Sequence, residues 1–296
     1  MTHQNDWILI DKPLGPTSTQ VTSQVRRIFG VKKAGHGGTL DPLATGLLPI
    51  ALGEATKTVP WVMDAPKEYE FTVRWGESTT TDDGEGAVTH TSDHWPTAAQ
   101  ISAVLPQFQG EISQIPPAFS AIKVDGKRSY DLARAGVAVP LKARTVTIFE
   151  LTLMGQSDPQ HAHFKVHCSK GTYVRSLARD MAIALGTFGY VTTLRRTRIG
   201  NFKATDAILL DYLKNLGHSP ILNRGFCAIY DALDDIPGIF VSVQEADDLR
   251  KGRAIPLQSP LNLGPDQMGI CLLNGVAVAL VRLDEQLLRP FRVFNL

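Results

Sequence analysis

The stretch Gly35-His36-Gly37-Gly38-Thr39-Leu40-Asp41-Pro42-Leu43-Ala44-Thr45-Gly46 holds four glycines in twelve residues and a single carboxylate, Asp41. Glycines let the backbone come close to a neighbour and adopt positive φ. Asp41 precedes a proline, which pushes it out of the helical region and onto a turn. The apolar run Leu47-Leu48-Pro49-Ile50-Ala51-Leu52 follows and can bury the far side of the loop. Two readings fit this local chemistry: a rigidly backed, presented acid, or an Asx-turn in which the carboxylate only caps its own backbone.

Upstream, Trp7-Ile8-Leu9-Ile10 reads as a short buried strand closed by the turn Asp11-Lys12-Pro13-Leu14-Gly15-Pro16. Thr17 and Gln20 have capping-box spacing. The helix they open carries Val21, Val25, Ile28 and Phe29 at helical intervals and stops at Gly30. Arg26, Arg27, Lys32 and Lys33 lead from its end into the glycine loop, as complements to the helix C-terminus or as phosphate contacts.

Downstream, a short helix from Glu54 to about Asp64 precedes Lys67–Trp75, which alternates strictly. Tyr69, Phe71, Val73 and Trp75 share one face, so Tyr69 is an inward aromatic with a polar tip. Ser78 to Asp93 reads as a polar loop, and its acids near Asp83, like Phe119 further on, are expected to vary freely. Thr97 and Gln100 repeat the capping box before a helix with Ile101, Val104, Leu105 and Phe108. A basic segment around the Asp125-Gly126 turn, about 116–144, reads as an insert with a hairpin.

The chain has 296 residues, 43% hydrophobic and 20% charged, enough for one large domain with a small one. No apolar run reaches the roughly 18 residues of a membrane span, and the first residues lack a signal-peptide layout. Three widely spaced cysteines with no metal-type spacing fit a reducing cytoplasm. The net charge of +1 hides an asymmetry. Residues 121–203 hold fourteen Lys/Arg against five Asp/Glu, and residues 204–250 hold three against eight. A basic face of that kind is the footprint of a polyanion partner, or else a solvated, ion-paired surface.

Two alternating strands, Arg144–Met154 and His161–Cys168, follow the insert. His161, His163 and His167 share a strand face, but no carboxylate or thiolate of fitting spacing joins them except Cys168, which points the other way. In Ser169–Asp180 a strand gives way to a helix with Val174, Leu177, Ala178 and Met181 inward. If Tyr173 to Arg175 stays extended, both point to one side. An arginine facing Asp41 favours its ionised form and fixes its orientation; pairing with Asp180 is the alternative. Leu194-Arg195-Arg196-Thr197-Arg198-Ile199 is a cationic strand. Residues 204–237 read as acidic and helical. Beyond them lie a strand, a short helix, a hairpin at Asn274-Gly275 and a last strand at Phe291–Phe294.

Together these stretches closely resemble the bacterial tRNA pseudouridine synthase B family over nearly the whole chain. GHGGTLDPLATG at Gly35–Gly46 is similar to its catalytic motif, and GEATK at Gly53–Lys57 to the continuation. KEYEF at Lys67–Phe71, PPAFSAIKVDGKRSYDLAR at Pro116–Arg134, GTYVRSLARD at Gly171–Asp180 and LRRTRIG at Leu194–Gly200 fall in family order. GRAIPL and RPFRVF resemble a PUA-type RNA-binding module.

The resemblance implies a mixed α/β (α+β) pseudouridine synthase fold, with a central, mostly antiparallel sheet flanked by helices and a small C-terminal β-rich PUA-like module. It divides the chain into a catalytic domain, 1–236, and the module, 237–296, whose removal is expected to weaken RNA binding more than chemistry. It implies isomerisation of one T-loop uridine of tRNA to pseudouridine, with no cofactor or metal. Asp41 is then the catalytic carboxylate, Tyr69 stacks on the flipped base and serves as a base at C5, and Arg175 pairs with Asp41. Tyr173 and Leu194 shape the pocket, His36 enters the space the base leaves, and Lys57, Lys12 and Lys33 meet phosphates. The protein is expected to be a cytoplasmic monomer acting on the tRNA T-arm without membrane or obligatory protein partner. Competing readings are a guide-RNA-dependent synthase, a non-catalytic RNA-binding protein or tRNA-folding chaperone, and a phosphate-binding enzyme, which the missing GxxxxGK[ST] pattern disfavours.

Overall fold

The computed structural model describes residues 3–120, 141–215, 225–233, 235–257 and 267–296, and the backbone of 123–124 and 127–128. Most strands belong to one large sheet. In chain order they are β1 (Trp7–Lys12), β2 (Ala34–His36), β3 (Ala44–Leu52) and β4 (Lys67–Trp75). A small hairpin of β5 (Glu77–Thr79) and β6 (Val88–Thr91) comes next. Then follow β7 (Gly110–Gln114), the short pair β8 (Lys123–Val124) and β9 (Lys127–Arg128), β10 (Arg144–Asp158), β11 (His161–Cys168) and β12 (Gly189–Ile199). Across the sheet the order is β1-β3-β12-β4-β11-β10-β7, with Ile208–Leu209 beyond β1. Pairing is antiparallel except at β3–β12 and at β1 with Ile208–Leu209. The mixed α/β expectation holds.

Both capping boxes form: Thr17 with Gln20, opening the helix Ser18–Ile28, and Thr97 with Gln100, opening Ala98–Val104. Alternation on β1 buries both faces. Ile8 and Ile10 pack with Val21 and Val25 of the first helix. Trp7 and Leu9 face the opposite way. At the other end of the sheet, Phe71, Val73, Phe164 and Val166 pack against Leu177, Ala178 and Met181 of the helix Val174–Ala184. Tyr69 and Leu194 touch both the first and the last of these cores, so they lie at the junction beneath the glycine loop. The parallel pairing sets Arg196 opposite Gly46, where a Cβ would come within 2.3 Å of the Arg196 carbonyl, and Gly46 has φ +95°. Only glycine fits there.

Several expectations change. The 123–124 and 127–128 pairing agrees with a hairpin, while the rest of the turn and most of the 116–144 insert lie outside the described residues. Among the described residues of 204–237 the expected helical character appears in Leu210–Asn215 and in the single turns Ala204–Asp206 and Asp231–Leu233, but Ile208–Leu209 and Phe226–Cys227 also add strands to β1. A five-stranded C-terminal sheet includes Met268–Leu273 and Val276–Asp284, joined through Asn274 and Gly275 at positive φ. Its last strand starts earlier than expected, at Leu287, and takes Pro290 in at an irregular register. This sheet shares a core with the large one: Ile270, Leu280 and Phe294 pack in the cluster of Trp7, Leu47 and Val62. Lys57 Nζ also donates to the Val293 carbonyl at 2.6 Å. Truncation after Pro237 is therefore expected to strip apolar cover from the large sheet and to lower its melting temperature, besides weakening binding.

Candidate active site

The loop bearing Asp41 joins β2 to β3 and is pinned from three sides. Ser18 Oγ donates to the Leu40 carbonyl at 2.9 Å and accepts from the Leu40 N–H at 2.8 Å. Lys12 Nζ donates to the carbonyls of Pro42, at 3.3 Å, and Ala44, at 2.7 Å. Arg196 donates to the carbonyls of Gly38 (2.9 Å), Thr39 (3.3 Å) and Leu47 (2.8 Å). Gly38, at φ +139°, takes a conformation other residues rarely adopt. With its backbone held on both sides, the carboxylate is left free to point outward. It does not cap its own turn but meets Arg175, Nη2 to Oδ2 at 2.8 Å.

Arg175 arrives by a different route from the one expected. Tyr173 is extended, but the helix begins at Val174, so Arg175 lies in its first turn. Its guanidinium is 5% exposed and pairs with Asp41 and with Asp83, the latter at 3.4 Å, and not with Asp180, which pairs with Arg179. It also donates to the carbonyls of Thr81, at 2.8 Å, and Phe119, at 2.9 Å. Asp83 is buried, its carboxylate taking the Thr81 hydroxyl and the Glu85 N–H. The acidic loop near Asp83 is thus a clamp on Arg175 through the Asp83 carboxylate, while Phe119 contributes only its backbone carbonyl. The loop's charges look solvated in sequence; only the fold of Thr79–Glu85 against the helix places them inside.

Asp41, Tyr69, Tyr173, Arg175 and Leu194 line one cavity of about 280 Å³, together with Lys67 and Arg144. Burial pushes the Tyr69 phenol above its ordinary value, while Arg196 beside it pulls the other way. Arg196 is itself buried, two residues from Leu194 on the same face of β12 and opposite Tyr69 of β4. His36 stands on β2 opposite Ile50, outside that cavity lining, with Nδ1 buried and without a hydrogen-bond partner among the described residues. Burial, then the Arg196 charge, lowers its pKa.

The lysines divide. Lys33 is exposed beside the loop. Lys12 is not a surface group: it is fully buried, turned inward by the three carbonyls it serves. Lys57 is also engaged, by Glu54 at 2.7 Å and by Val293. In these positions neither is presented to phosphate. Along β11 the three histidines do not converge, and among the described residues no three His, Cys, Asp or Glu side chains gather as metal ligands.

Burial lowers Lys12 to about 8, with Asp41 opposing, and lowers Lys67 to about 8. Such amines are charged in both states below pH 8, where the burial penalty is complete. Between there and the ordinary 10.5 the unfolded chain holds more protons, so stability rises with pH. Cys168 and Cys271, pushed up to about 11 and about 12 from 9.0, act with opposite sign above pH 9. Melting temperatures are expected to climb from pH 8 to 9 and to stop rising above about pH 10. A steady fall from pH 7 to 9 would contradict buried, penalised lysines.

The large, mostly antiparallel sheet is that of the pseudouridine synthase fold. Sequence profiles agree: that of TruB family pseudouridylate synthases (N-terminal domain) matches residues 26–174, and that of the tRNA pseudouridylate synthase B C-terminal domain matches 175–219. The chain belongs to the TruB family of pseudouridylate synthases. The tRNA pseudouridine synthase B of Caulobacter vibrioides is 50% identical over 297 residues, spanning 98% of this chain and 96% of that protein. That of Rhodospirillum rubrum is 50% identical over 296 residues, with the same two shares. A chain in the crystal structure of a Cbf5–Nop10–Gar1 complex superposes with TM-score 0.72 at 28% identity, over 95% of this chain and 79% of that one. No helix among the described residues is long and apolar enough to cross a membrane.

Proposed function

We propose that the protein isomerises a T-loop uridine of tRNA to pseudouridine, with Asp41 as the catalytic carboxylate. The Asp41–Arg175 pair over the cavity carries this reading. In the reaction the N1–C1′ bond breaks, the uracil turns, C5 joins C1′, and the proton leaving C5 is balanced by one gained at N1. Asp41, held in place by Arg175, acts on the ribose or on the ring. The base must first leave the RNA stack, at about a few kcal/mol. Tyr69 and Leu194 then receive it, and His36, kept neutral by burial, stacks in the space it leaves. Burial holds the Tyr69 phenol protonated, so stacking is the role its surroundings favour. Service as a base at C5 needs the charge of Arg196 to offset that burial.

Residues 1–236 form the catalytic domain and 237–296 an RNA-binding module resting on it. The protein acts as a cytoplasmic monomer without a protein partner or cofactor. Identity of 50% to a protein named tRNA pseudouridine synthase B, against 28% to a chain from a Cbf5–Nop10–Gar1 complex, supports that choice over a guide-RNA-dependent enzyme.

Treating an unmodified tRNA transcript with the purified protein alone is expected to yield one pseudouridine in the T-loop by mass-spectrometric mapping. No pseudouridine, with tight tRNA binding retained, would leave the RNA chaperone reading standing. The exposed Arg26, Arg27, Lys32 and Lys33 at the loop's edge predict that affinity falls steeply with added salt.

A further inference from the structure

Arg144 opens β10 on the wall of the Asp41 cavity. Its neighbours fix it in place. Its backbone pairs with Gln114 on β7, and the Gln114 side chain holds Tyr173 by accepting from the N–H, at 2.8 Å, and donating to the carbonyl, at 3.1 Å. The guanidinium then lies over the Tyr173 ring, 4.6 Å from its centre.

Four other arginines near the cavity have their acceptors. Arg175 and Arg179 hold carboxylates and carbonyls, Arg195 grips Asp11 with two bonds, and Arg196 serves three carbonyls. Arg144 differs. Its Nε and Nη2 are shut off from solvent and find no hydrogen-bond partner among the described residues. A guanidinium stays charged at any ordinary pH, and a charged donor kept from both water and acceptor is costly. Facing it, Gly171 has φ +83°, and a Cβ there would sit 3.8 Å from Cζ and Nη1, in ordinary van der Waals contact.

A planar fork held on an aromatic ring, without an anion of its own, matches the two oxygens of a phosphodiester. We propose that Arg144 clamps the backbone phosphate of the nucleotide whose base enters the Asp41 cavity, turning its unpartnered donors onto the phosphate while Tyr173 supports its face. The inference rests on the proposed RNA substrate. It assigns Arg144 to binding and placing that nucleotide, not to the bond exchange.

The test uses the full chain and T-arm RNA with either an ordinary phosphodiester or a neutral methylphosphonate 5′ to the target uridine. For wild type, the methylphosphonate is expected to lower kcat/KM about tenfold or more. Arg144→Gln should lose a similar factor on the ordinary RNA, lose little more on the neutral one, and show a binding salt slope smaller by about one. Arg144→Lys should keep the slope and recover part of the rate, which a merely structural role would not produce. Equal methylphosphonate losses in wild type and Arg144→Gln would overturn the proposal. So would an unchanged salt slope with a pure loss of kcat, which points to a uracil carbonyl instead. If wild type makes no pseudouridine in ordinary RNA, the functional reading fails separately, and the salt slopes still report on the clamp.

Discussion

Asp41→Asn is expected to cut pseudouridine formation by about 10⁴-fold or more, while the protein stays folded and binds tRNA nearly as before. The change keeps the side chain's shape and removes only its charge. Three features confine the damage to chemistry. The loop backbone is tied by Ser18, Lys12 and Arg196, none of which uses the Asp41 carboxylate. Arg175 keeps Asp83 and two carbonyls, so no guanidinium is stranded. Asp41 is itself 38% exposed, so the lost ion pair is screened by water and weighs little on stability. What goes is a placed negative charge, which a neutral amide cannot supply to ribose or ring. Single-turnover mapping on a transcript, beside a binding titration, separates the two. Turnover within about tenfold of wild type would move the chemistry to another residue.

The legible parts of this protein are those with local causes. A threonine three residues before a glutamine caps a helix wherever it stands, and both predicted boxes form. Alternation placed Tyr69 inward, and the Asn274-Gly275 turn appears where positive φ requires it. Asp41 was legible as a presented acid on a glycine-framed turn, though only beside the family blocks. The groups that hold it were not. Lys12 sits in a sequence of turn residues and looks solvated, yet carbonyls brought from Pro42 and Ala44 draw its amine inside. Arg196 looks like one cation of three; the parallel pairing with β3 and the carbonyls of Gly38, Thr39 and Leu47 make it the brace of the loop. Asp83 looks like loop acidity until the helix Val174–Ala184 brings Arg175 against it. In each case the deciding partner lies far along the chain, and burial of a charge has no local sequence sign.

Arg175→Met is expected to destabilise the fold by about 3–5 kcal/mol and to suppress turnover as well, because the arginine answers two carboxylates of different kinds. Asp83 is 4% exposed, and without a guanidinium its charge is stranded inside the protein. Asp41 is partly open to water and loses direction more than stability. The two losses can be parted by a second change. Adding Asp83→Asn to Arg175→Met removes the stranded charge, so most of the melting temperature should return. Turnover should not return, since Asp41 still lacks the donor that aims it over the cavity. Thermal unfolding and single-turnover rates on the single and double variants decide the matter. A fully stable Arg175→Met would show that Asp83 has other support. A double variant that regained activity would show that Asp41 needs no arginine to orient it, and the site's electrostatics would then rest on Arg196 and Lys12.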